Sequence, residues 1–71
     1  MSMKTYSATI EFLAGQSAAI VALTDPSGEW AGAGRIEVRS GRKVDLYEEG
    51  YRYASISAQS KGGRLGRYSR A

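Results

Sequence analysis

From Thr5 to Ala14 polar and apolar residues alternate one for one, with Tyr6, Ala8, Ile10 and Phe12 on one side and Thr5, Ser7, Thr9 and Glu11 on the other. A period of two is the signature of a strand buried on one face, so the chain is committed to a sheet. With 71 residues it has room for a single domain, and a chain of that size buries only about 60% of its unfolded surface. The bulky apolar residues available for a core are few: Ile10, Phe12, Ile20, Val21, Leu23, Trp30, Ile36, Val38, Val44, Leu46 and Ile56. Self-association would help so thin a core.

Further strands follow from turn chemistry. Ala14-Gly15-Gln16-Ser17 and Asp25-Pro26-Ser27-Gly28 bracket residues 17–24. Ile20-Val21 and the nearby Pro26 favour a strand there over the alternative, a two-turn helix capped by Ser17. Glu29 to Arg39 reads as a third strand, with Trp30, Gly32, Gly34, Ile36 and Val38 on one face and Arg35, Glu37 and Arg39 on the other. Glycines inside a strand mark a bulge, a bend or a close backbone approach.

Beyond that point the expectation is two more strands. A three-residue loop, Ser40-Gly41-Arg42, sets Val38 against Val44 and Ile36 against Leu46, whereas a two-residue loop would place Lys43 among apolar residues. A second turn at Glu49-Gly50-Tyr51 then sets Leu46 against Ala54 and Val44 against Ile56, leaving Tyr47 and Tyr53 on the outer face. The resulting fold class is mainly β: a five-stranded antiparallel meander over residues 1–58, either an SH3-like or OB-like small barrel or a coiled sheet. Residues 59–71 are polar, glycine-rich and free of acids, and read as a disordered basic tail.

Charge divides the chain. Residues 1–34 carry one base and three acids, a net −2, while residues 35–71 carry nine bases and four acids, a net +5. That asymmetry points to a polyanion or an acidic protein surface as partner. Two groups of residues stand out. Arg35, Arg39, Lys43, Tyr47 and Tyr53, with Tyr51 at the margin, would share the outer face of strands three to five, where arginine pairs with phosphate and aromatic rings stack on bases. In the tail, Lys61, Arg64, Arg67 and Arg70 recur every three residues around Tyr68, a spacing that an extended polyproline-type chain brings to one side. In composition this Arg-Gly segment looks like the basic arms of RNA-binding proteins.

Other chemistry has little to work with. The chain holds no His and no Cys, so the usual general base, the best nucleophile and the thiolate and imidazole metal ligands are missing, and no enzyme and no cofactor is expected. Gly32-Ala33-Gly34 is too short for a phosphate-binding fingerprint. Met1-Ser2-Met3-Lys4 leads into alternation without an apolar leader, and the run from Ala18 to Leu23 is too short to span a bilayer, so no membrane partner and a cytoplasmic protein are expected. The functional expectation is a non-catalytic module binding nucleic acid, single-stranded by preference, or a nucleoprotein. The alternative is a small inhibitor or modulator of the kind encoded by phages and mobile elements, anti-CRISPR-like, docking on a larger complex. A homodimer through a free strand edge such as Ala18 to Leu23 is a further expectation.

Overall fold

In the computed structural model, which describes residues 3–15 and 17–71, the first half of the chain follows the alternation. Strand β1 spans Lys4–Phe12, β2 Ala18–Thr24 and β3 Trp30–Glu37. They pair in antiparallel order, β2 between the other two. Residues 18–24 are therefore strand and not helix. The first turn is closed by the Leu13 N–H donating to the Ala18 carbonyl at 3.0 Å, although Gln16 within it lies outside the described residues. The second turn is built by Asp25: its Oδ1 accepts from the Ser27 N–H at 2.9 Å, the Ser27 hydroxyl at 2.6 Å and the Glu29 N–H at 3.0 Å. An aspartate that mimics a backbone turn in this way fixes where β3 begins.

The second half departs from the expected meander. Helix α1 occupies Lys43–Ser60 and strand β4 occupies Gly63–Arg70, so the sheet has four strands in the order β3-β2-β1-β4, with β4 parallel to β1. It is a mixed sheet with one helix across one face, neither five-stranded nor closed into a barrel, and the expected basic tail is its edge strand. The hairpin at Ser40-Gly41-Arg42 and the turn at Glu49-Gly50-Tyr51 do not form. Instead the Leu46 N–H donates to the Arg42 carbonyl at 3.0 Å to start the helix. Asp45, paired with Arg42 and accepting from the Ser40 hydroxyl, sits in the first turn, where a negative charge suits the helix dipole. Gly62, at φ +77°, ends the helix in the left-handed conformation that glycine adopts without strain, and its N–H donates to the Gln59 carbonyl at 3.0 Å.

Leu46, Gly50, Ala54 and Ala58 are the buried seam of α1, spaced every four residues. Three of the four are small, so the helix lies close to the sheet. A Cβ at Gly50 would collide with the Tyr68 hydroxyl and stand 2.7 Å from Ile10 Cδ1. Gly34 of β3 likewise gives its space to the Tyr53 ring. Between the layers lie Tyr6, Ala8, Ile10, Ala19, Val21, Leu23 and Ile36, closed against that seam. Ile10 and Val21 are fully buried, and each such aliphatic side chain contributes roughly 1.5–3 kcal/mol.

Candidate functional site

Among the described residues a single helix covers one face of the sheet and leaves the other open. Residues on that open face follow from the strand register. In one cross-sheet row Trp30 pairs with Thr24, Thr24 with Ser7, and Ser7 with Arg67. In the next, Ala33, Ala22, Thr9 and Ser69 are aligned. With strands about 4.8 Å apart, the first row spans about 14 Å of backbone from β3 to β4. One row further along, Arg64 Nε donates to Thr5 Oγ1 at 3.3 Å. The arrangement is an indole at one edge, two arginines at the other, and a shallow floor of hydroxyls and alanines between them.

Two bulges make this row. On β3 the partners of Ala22 and Thr24 are Ala33 and Trp30, so β3 carries one residue more than β2 in this stretch. Gly32, at φ +118°, accommodates it. The extra residue shifts the alternation and turns Trp30 to the open face, where it is 73% exposed, while Ala31 packs on the core. This corrects the expectation that Trp30 shares a face with Gly34 and Ile36. On β4 the register slips between Tyr6 and Ser7, whose partners are Leu65 and Arg67, leaving Gly66 as the extra residue. Residues three apart in a regular strand face opposite ways; the bulge brings Arg64 and Arg67 to the same side.

The residues expected to form one basic, aromatic sheet face are dispersed. Arg35 lies on the open face and is paired with Glu37. Arg39 is exposed in the segment after β3. Lys43 opens α1, and Tyr47, Tyr51 and Tyr53 belong to the helix. There Tyr47 and Tyr51, one turn apart, flank Tyr68 of β4 with ring centroids at 4.7 and 5.6 Å. The Tyr68 hydroxyl donates to the Tyr47 carbonyl at 2.7 Å, and burial, followed by the neighbouring Tyr47, pushes its pKa up to about 12. This cluster fastens the helix to β4. Tyr53 points the opposite way, to Gly34.

Of the expected tail residues, Lys61 lies in the exposed turn after α1, Arg64 and Arg67 reach the open face, and Arg70 takes the helix side. Arg70 stands 4.8 Å and Lys43 Nζ 5.9 Å from the Phe12 ring centroid. They border a cleft of about 480 Å³ between the first turn, the helix start and the end of β4, lined also by Leu13, Ser17, Gly41 and Leu46.

The sequence reading missed Trp30, Thr24 and Ser7 as surface partners of the arginines. The signal was present in Gly32, since a bulge glycine inverts the faces on either side of it. Among the described residues no three His, Cys, Asp or Glu side chains come together as a metal site, and no helix is long and apolar enough to cross a membrane. Comparison of the chain with protein-family models, with curated proteins and with solved structures finds no significant match in any of the three.

Proposed function

We propose that the protein is a non-catalytic module that binds single-stranded nucleic acid across the open face of its sheet. The observation that supports this most is the row Trp30, Thr24, Ser7, Arg67. A base stacks on an exposed indole whatever its identity, and arginine with neighbouring hydroxyls holds phosphate oxygens. The floor of Ala22, Ala33, Thr9 and Ser69 is low enough for an extended strand to lie on it. Arg64 adds charge at the same edge, and the net charge of +3 favours approach of a polyanion.

Trp30 is the only tryptophan, so its fluorescence reports directly on the site. Titration with a single-stranded oligonucleotide is expected to quench it, with affinity falling steeply as salt rises because displaced phosphate counterions are released. Trp30→Ala is expected to weaken binding by about fivefold to 150-fold, in line with roughly 1–3 kcal/mol per stacked base. Arg67→Ala is expected to weaken all sequences alike and to reduce the salt slope by about one. No quenching and no binding at low salt would overturn the reading and leave the face as a protein-docking surface.

A further inference from the structure

The two edges of the sheet differ in a way the nucleic-acid reading does not use. β2 is interior, paired on both sides, so the edge expected at Ala18 to Leu23 does not exist. The free edges are β4 and β3. β4 carries Arg64, Arg67 and Arg70 and no acid, so pairing it with a second copy would bring like charges together, a common protection of exposed edges. β3 carries charges of both signs, Arg35 and Glu37, and its bulge at Gly32 leaves the stretch from Ala33 to Glu37 regular.

We propose that two copies of the chain join through their β3 edges into one continuous antiparallel sheet. The hydrogen-bonding direction of β3 is set by the Val38 N–H, which donates to the Ser17 carbonyl at 3.2 Å on the β2 side. Main-chain groups alternate along a strand, so those of Arg35 and Glu37 point outward, away from β2. An antiparallel pairing must therefore oppose odd-numbered residues to odd-numbered residues. Among such registers, one places Arg35 opposite the partner's Glu37 and Glu37 opposite the partner's Arg35, with the two-fold axis at Ile36. Shifting to the neighbouring register centred on Arg35 sets that arginine against its own copy. Cross-strand opposite charges stabilise a pair and like charges oppose it, so charge selects the first.

The helix flank above the same edge fits an interface. Tyr53 reaches over to Gly34 of β3. Beside it Glu49, Arg52, Ile56 and Ser57 line a shallow groove of about 300 Å³. Ile56 is 56% exposed, an apolar group without cover on the side that the second copy would approach. Glu49 and Arg52 supply both signs of charge, as a two-fold contact requires of one surface meeting itself. The join leaves the helices on one side and runs the two open faces into a single surface of eight strands.

Sedimentation of the intact protein from micromolar to millimolar concentration, without nucleic acid, tests this apart from the function proposed above. A concentration-dependent dimer is expected. Arg35→Glu alone, or Glu37→Arg alone, is expected to weaken self-association by about tenfold or more, because each sets like charges across the join. The double reversal Arg35→Glu with Glu37→Arg is expected to restore it, and circular dichroism of each variant establishes that the fold is kept. A protein that stays monomeric throughout, single reversals that dimerise as well as the parent, or a double reversal that fails to recover would each overturn the proposal.

Discussion

The two faces of the sheet are built from the same four strands by opposite means. On the covered face close approach does the work: Gly50 and Gly34 remove side chains so that Tyr68, Ile10 and Tyr53 can fill their places. On the open face the side-chain contacts are exposed polar pairs, Arg64 with Thr5 and Arg35 with Glu37, and Trp30 projects with 73% of its surface in solvent. The covered face is intolerant of added atoms at Gly50 and Gly34, whereas the open face at Trp30 is mostly solvent. Where β-sheet proteins separate stability from recognition, they do so through this division, since a packed core feels a single methylene while an exposed position does not.

The contrast is broken most severely at Gly50. Gly50→Val would drive a branched side chain into Tyr68 and Ile10, and a loss of about 3 kcal/mol is expected from overpacking. In a chain of this size that is a large share of total stability, and a urea unfolding curve measures it. If the midpoint does not move, the helix does not lie on the sheet as described.

A smaller loss is expected in alkali. The Tyr68 phenol is held protonated up to about 12, against an ordinary value of 10.0. Since the folded pKa is the higher, its contribution to stability is complete below pH 10.0 and is lost as the pH rises through about 12. Thermal melts between these limits should show stability falling, and Tyr68→Phe should flatten the fall at the cost of the hydrogen bond to the Tyr47 carbonyl. A fall of equal steepness in Tyr68→Phe would assign it to another group.

The smallest effect on stability is expected on the open face. Trp30→Ala, so damaging to binding in the proposed function, should change the unfolding free energy by no more than about 0.5 kcal/mol. A large loss of stability would mean that the indole packs on the floor of alanines and hydroxyls, and the separation of the two faces would fail.

What could be read from the sequence divides at Val38. Before it, strict alternation and the Asp25-Pro26-Ser27-Gly28 turn give β1, β2 and β3 nearly in place, because each strand's partner is its neighbour in the chain. After it, two glycines mislead. Gly41 does sit in a turn, its N–H donating to the Val38 carbonyl at 3.3 Å, but that turn leads into α1 and not a hairpin. Gly50 reads as a turn and lies inside the helix. With both read as hairpin turns, Val44, Leu46, Ala54 and Ile56 fall into a plausible parity. The competing period of four, Leu46, Gly50, Ala54, Ala58, carries one bulky residue, too weak a stripe to win on hydrophobicity. Gly50 has a packing reason that local propensity does not contain.

β4 escaped for a related reason. As an edge strand it needs only Gly63, Leu65 and Tyr68 to meet the interior, and a segment otherwise made of Arg, Gly and Ser has the composition of a tail. Arg64 and Arg67 were singled out on a three-residue spacing that suits an extended free chain. They do share one side, but because Gly66 is a bulge. Trp30 was lost to the same kind of irregularity at Gly32. A glycine within a strand marks where a bulge can sit, as Gly32 and Gly66 do, but whether it forms is decided by the pairing partner.

The parallel pairing of β4 with β1 also sets a schedule. Arg64 and Thr5 meet although they stand 59 positions apart in the chain, whereas the β1, β2 and β3 hairpins and α1 close over short stretches of chain. Contacts so far apart are entropically the slowest to form. Local hairpins and the helix should assemble first, leaving one side of β1 unsatisfied until the arginine-bearing strand arrives. The rate at which the whole molecule folds should therefore track substitutions at Leu65, Gly66 and Tyr68 more closely than those in the turns.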